Sequence, residues 1–218
     1  MYALVFCAGV VGCVDGCHIP IAAPHRDAAS YVNRKGFHSV VLQAVCNHNM
    51  QFTDCYAGEV GSVHDACVLR RSELFRKLQP PSGHFTAGTH ILGDPAYPLL
   101  EHLITPFKDT GRLSRRELAF NAKLSGARCT IERSFALLKG RFRRLKMLNM
   151  SLVKHIPSVI VACCVLHNVC IEMNDAVECE PLETDSDDIF HTTAADSRAA
   201  YRAGLAKRNR LADMFMTR

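Results

Sequence analysis

Apolar runs and alternations in the first sixty residues predict β-strands. Val5–Val14 is apolar throughout and rich in Val, Gly and Cys, the pattern of a strand buried on both faces. Asp15-Gly16 follows as a turn signal, and His18–Ala23 offers a second strand that ends at Pro24. Ser39–Cys46 predicts a third. Met50–Val60 resumes the β pattern after the polar Asn47-His48-Asn49 turn. The expectation is a meander of antiparallel strands.

The period then changes. Ser62 and Asp65 bracket a helix start, and Val68, Leu69, Phe75 and Leu78 supply an apolar stripe to about Leu78. Pro80-Pro81-Ser82-Gly83 breaks it. His90–Gly93 predicts a short strand, and Asp94-Pro95 an N-cap with proline at the first helical position. Leu103–Arg112 reads as loop, Ser114–Leu124 and Ala127–Leu148 as helices, and Pro157–Met173 as a largely buried helix. Apolar periodicity is lost beyond about Asp175. Strands, helix, strand and helices in that order predict a mixed α/β arrangement, a sheet covered by the later helices.

Composition adds an organisation to this pattern. The 218 residues are 48% hydrophobic and 22% charged, which excludes global disorder. The net charge of +5 hides a segregation: residues 112–146 carry eleven Lys/Arg against two Glu, whereas 172–188 carry eight Asp/Glu and no base. The last 21 residues turn basic again, with six Lys/Arg against Asp213. One domain over 1–174 and a flexible, acidic-then-basic tail over 175–218 are expected. Eleven scattered cysteines without a C-x-x-C point to a reducing compartment, and Cys13, Cys17 and His18 lack a second pair at zinc spacing. The opening apolar run has neither a basic n-region nor a small-x-small cleavage site, so a buried strand is expected rather than a signal peptide. Ile156–Ile171 is interrupted by His167 and Asn168 and short for a bilayer span, so no membrane is expected. No G-x-x-x-x-G-K-[ST] or G-x-S-x-G occurs, which argues against a P-loop NTPase or an α/β-hydrolase.

Four carboxylates stand where predicted elements begin or end, or on the basic helix: Asp15, Asp65, Asp94 and Glu132. Each alone has an ordinary role, as a turn residue, a helix cap, or a partner for Arg128 one turn before Glu132. Together they supply the hard oxygen donors that Mg²⁺ or Mn²⁺ takes. Two such ions can clamp an in-line phosphoryl displacement. On the helix that carries Glu132, Ile131, Phe135, Leu138, Phe142 and Leu145 mark one buried face, and Lys139 and Arg143 share the face of Glu132. This charge clustering favours phosphate binding. His18 and His64, each near a carboxylate, are either packing histidines or groups that orient a ligand.

The blocks VDGCHIPI (14–21), GFHSVVLQAVCN (36–47), GSVHDACVLRRS (61–72), LGDPAYPLL (92–100), TIERSFALLKGRFRRL (130–145) and VLHN (165–168) occur in order. Over about residues 10–172 the chain resembles the DDE-superfamily catalytic domain of PIF/Harbinger transposases and the nuclease derived from them in animals. The resemblance implies an RNase H-like α/β fold, a mixed five-stranded sheet flanked by helices. It implies divalent-metal-dependent (Mg²⁺ or Mn²⁺) cleavage of DNA by a two-metal mechanism. Asp15, Asp94 and Glu132 fall on the family's catalytic acidic triad, and Asp65 on a further acidic position near the same metals. Lys139, Arg141, Arg143 and Arg144 would hold DNA phosphates. A separate Myb/SANT-like DNA-binding partner and action in the nucleus, with the cytoplasm as a second compartment, also follow by analogy. Two departures stand out: about ten residues precede the catalytic blocks where the family has an N-terminal region, so a truncated product is one expectation, and Ala136 replaces the glycine common after E-x-x-F. The alternative is a domesticated, non-catalytic DNA- or protein-binding module.

Overall fold

One uninterrupted strand, β1 (Val10–Pro20), runs straight through Asp15-Gly16. The computed structural model describes residues 9–79, 83–175 and 198–215, so Val5 to Ala8 of the first expected strand lie outside the described residues. The expected hairpin turn at Asp15 does not form, for a reason visible in the ladder. Residues on both sides of the dipeptide pair with the same neighbour, β2 (Ser39–Cys46): Val14 with Val45, Asp15 with Ala44, Gly16 with Gln43, Cys17 with Leu42. Backbone pairing along the whole strand outweighs the local turn preference of Asp-Gly. The reversal comes later, through a loop that holds a 3₁₀ turn at Ala28–Tyr31.

The strands β1, β2 and β3 (Phe52–Val60) form the expected antiparallel meander. On the other side of β1 lie β4 (His90–Leu92) and then β5 (Leu103–Ile104), both parallel pairings. The result is a mixed five-stranded sheet of order β3-β2-β1-β4-β5. Leu103 and Ile104, expected in a loop, are fully buried and complete the far edge.

Alternation along β1 divides the packing. Cys13, Cys17 and Ile19 belong to one core with Ile131, Phe135 and Leu138, whereas Val14 joins Leu69, Leu74, Leu78 and Leu103 on the opposite face. That second face is covered by α1 (Asp65–Arg71) and α2 (Glu73–Leu78), not by the single helix the stripe predicts. Buried Ser72 separates them in extended conformation; its hydroxyl donates to the Leu69 carbonyl (2.7 Å) and accepts from the Gln43 side chain (3.1 Å). The bend lets Leu69, Leu74 and Leu78 all reach the sheet.

The first face is covered by α3 (Arg115–Arg141) and α4 (Ile156–Glu172). The 27 residues of α3 start at a capping box of Ser114 and Glu117 and pass through Gly126, where two helices were expected. A helical glycine costs about 1 kcal/mol, which burial of Leu124 and Ala127 on either side offsets. The helix ends at Arg141, and Arg143–Lys146 forms a 3₁₀ turn. Arg143 therefore does not continue the stripe of Glu132.

Part of the expected tail is a helix. α5 (Arg198–Met214) buries Leu211 and Ala212 in the main core, and Arg116 of α3 pairs with Asp213. Lys207 donates to the Thr89 carbonyl (2.8 Å), and Arg208 donates to the Pro106 carbonyl (3.0 Å) while lying over the Phe107 ring. Two basic side chains thus occupy buried positions, stems inside and heads on carbonyls, which hides the helix from a reading of apolar period. The acidic stretch 176–197 lies outside the described residues.

Candidate active site

Asp15 and Asp94 are brought together by strand register. Cys13 of β1 lies opposite Leu92 of β4, so each aspartate stands two residues beyond the same rung of a parallel pair. Asp94 is only 4% exposed, and its Oδ1 accepts from the Ala96 backbone N–H (3.0 Å). That bond makes an Asx turn, and no helix begins at Pro95 as the Asp-Pro pair predicts; the chain turns toward β5 instead.

Two residues that sequence reasoning did not assign to the site organise the acids. Arg128 projects from α3 one turn before Glu132, and its Nη2 donates to Asp15 Oδ2 at 3.0 Å. Burial acts to lower the Arg128 pKa, but the charges of Asp15, Asp94 and Glu132 raise it on balance. Tyr97 lies three residues after Asp94. Burial first, then the charges of Asp65, Asp15 and Asp94, push its phenol well above the ordinary value, so it stays protonated. Its buried Oη has no hydrogen-bond partner. Between them, Arg128 and Tyr97 sense all four carboxylates.

Asp65 opens α1 and reaches β1 from the other side. A Cβ added at Gly16 would collide with Asp65 Oδ1, so the missing side chain of Gly16 makes the space that the carboxylate fills. The glycine after Asp15 thus serves the approach of a helix rather than a turn.

The donor types suit a hard divalent cation, since carboxylate oxygens dominate among them. The charges of Asp15, Asp94 and Glu132 raise the Arg128 pKa, a field that favours positive charge. Among the described residues, however, no group of three or more Asp, Glu, His or Cys side chains is placed so that it could hold a metal ion. The acids form a neighbourhood in which Arg128 holds one of them.

The four expected phosphate ligands separate. Arg143 and Arg144 are exposed in the 3₁₀ turn after α3. Lys139 is half-buried, with Nζ donating to the His18 carbonyl (3.0 Å). Arg141 is turned inward, its side chain 8% exposed and bonded to the carboxylate and carbonyl of Asp175. Arg141 is thus a strut between α3 and the end of α4. His18 bonds Ser39 Oγ through Nδ1 (2.9 Å), and His64 is the N-cap residue of α1.

A family model described as DDE superfamily endonuclease matches residues 14–168, a span that contains Asp15, Asp65, Asp94 and Glu132. The chain belongs to the DDE superfamily endonucleases. Within that family it is 35% identical over 179 residues to the protein named "Putative nuclease HARBI1" of Bos taurus, covering 78% of this chain and 48% of the relative. The human protein of the same name is 34% identical over 189 residues, 83% of this chain and 51% of the relative. "Protein ALP1-like" of Arabidopsis thaliana is 30% identical over 191 residues, 81% and 47%. The chain spans about half the length of the curated relatives it matches. No solved structure matches. For this DDE superfamily member the α/β architecture and the Harbinger-derived lineage are established, and the acids named from sequence lie inside the matched span.

Proposed function

We propose that the chain is a divalent-metal-dependent DNA endonuclease of Harbinger-transposase type, built on an RNase H-like fold. The observation that supports the reading is that Arg128 pairs with Asp15 and lies within the electrostatic influence of Asp94 and Glu132, while Asp65 fills the space left by Gly16 on the same strand. The sheet order and mixed directions accord with that fold.

Asp15, Asp94 and Glu132, with Asp65 beside them, would hold Mg²⁺ or Mn²⁺. Bound ions of this kind supply a nucleophile at neutral pH and stabilise charge on the scissile phosphate. The chain's own residues do the rest. Strand register fixes Asp15 and Asp94, and burial keeps Asp94 in one rotamer. Arg128 balances the acids, and the protonated Tyr97 is a hydrogen-bond donor within their field. Arg143 and Arg144, exposed beyond α3, contact phosphates along the strand. Nuclear action follows from this reading, with a Myb/SANT-like protein supplying target recognition.

Incubating supercoiled plasmid with the purified chain and Mn²⁺ tests the proposal. Nicking is expected, and Asp94→Asn, which keeps the acceptor for Ala96, should reduce it at least a hundredfold. Equal nicking by the variant would refute the assignment. One observation favours the second reading, a non-catalytic DNA- or protein-binding module: Arg128 already occupies Asp15. Salt-sensitive DNA binding with no cleavage at any metal concentration would establish that alternative.

A further inference from the structure

The helix α4 has an inner face that is locked and an outer face that is apolar and exposed. Inside, Ile156, Ile160, Cys164 and His167 are buried. Asn168 pairs with both backbone groups of Phe52 (2.8 and 2.7 Å), and His167 Nε2 meets the Met50 carbonyl (2.9 Å). These bonds fix the rotation of the helix against β3. Outside lie Ala162, Val165, Leu166, Val169 and Met173, with Leu166 51% and Met173 75% exposed. With its 3₁₀ lead-in, Val153–Glu172 is a 20-residue apolar segment, longer than the sequence reading suggests, and by length and composition alone it would suffice to cross a membrane.

We propose that this face is a homodimer interface, in which α4 pairs antiparallel with α4 of a second copy. Ala162, Leu166, Val169 and Met173 are spaced four, three and four, the spacing of a helix-pairing seam. No charged residue lies between Lys154 and Glu172, so the seam itself carries no repulsion. Its ends are opposite in sign: Lys154 is exposed at the start and Glu172 at the finish. A two-fold axis level with Cys164 sets Ala162 against Leu166 and Val159 against Val169, and it brings each Lys154 to within about a turn of the other copy's Glu172. An antiparallel pair also opposes the helix dipoles. A parallel arrangement would place like charges together at both ends. The helix is bonded to edge strand β3 through Asn168, two strands from β1 in the sheet order.

Sedimentation velocity of the full chain, from low micromolar to hundreds of micromolar, tests the proposal. A dimer is expected. Leu166→Glu should weaken it at least tenfold with unchanged circular dichroism, the side chain being half exposed. Lys154→Glu should weaken it about fivefold, since each rim pair occurs twice, and adding Glu172→Lys in the same chain should restore it. A monomer throughout would overturn the proposal, as would a dimer indifferent to Leu166→Glu or a charge swap that fails to restore. Flotation of the monomer with neutral phosphatidylcholine vesicles would instead assign the face to a membrane.

Discussion

The guanidinium of Arg128 donates to Asp15 at 3.0 Å, linking the middle of β1 to the helix that carries Glu132. The pair is about one-sixth exposed and sits where two further acids add to its field. Arg128→Ala should therefore destabilise the metal-free protein by about 2–4 kcal/mol, because it breaks a largely buried ion pair. Added Mn²⁺ should raise the melting temperature of the variant more than that of the parent. Thermal melts with and without Mn²⁺ check this, and equal shifts would contradict it.

Gly16 and Asp65 share one space. In Gly16→Ala the new methyl meets the end of a flexible carboxylate rather than backbone, so the fold should lose no more than about 1 kcal/mol. Metal-dependent nicking should fall at least tenfold, because Asp65 must move. In the Asp65→Ala background the same change should have little further effect. Additive losses in that double-mutant cycle would separate the two residues.

Arg141 and its neighbours should respond differently to mutation. Arg141→Ala breaks the contact with Asp175 and should cost about 1 kcal/mol of stability, without changing the salt dependence of DNA binding. Arg143→Ala or Arg144→Ala should leave stability unchanged and reduce the slope of log K against log salt by about one each. Fluorescence anisotropy across a salt series separates these outcomes.

Two buried histidines set the acid limit of the fold. Burial, seconded by the charge of Lys207, lowers the His90 pKa from its ordinary 6.5 to about 4. Below pH 6.5 the unfolded chain takes up a proton that the folded state refuses, so stability falls with pH until His90 also protonates near pH 4. The full loss is about 3 kcal/mol. His167 is shifted in the same direction, chiefly by burial, and adds to the same trend. Urea unfolding across this range should show the decline, and His90→Gln should flatten it. An unchanged pH slope in the variant would remove His90 from the account.

The sequence was most legible where apolar period and backbone pairing agree. The strand Ser39–Cys46 and the helix start after Ser114 lie where the residues predict them. It misled where a local signal competed with a distant partner. Asp15-Gly16 reads as a turn only until β2 is known to pair on both sides of it, and Asp94-Pro95 reads as a helix start until β5 claims the following chain. Lys207 and Arg208 hid α5 because burial of a basic stem looks polar in a one-dimensional reading. The four acids, named from their motifs, lie within the span that matches the family. Arg128 was visible only as a partner for Glu132, since its bond to Asp15 spans 113 residues.

Whether the acids act as one site is tested most directly by Mn²⁺ binding, followed by electron paramagnetic resonance of the free ion. The parent chain should bind Mn²⁺, and Asp15→Asn, Asp94→Asn and Glu132→Gln should each weaken binding at least tenfold while melting within a few degrees of the parent. If any one of the three binds Mn²⁺ as the parent does, that carboxylate lies outside the site and the proposed nuclease centre is contradicted.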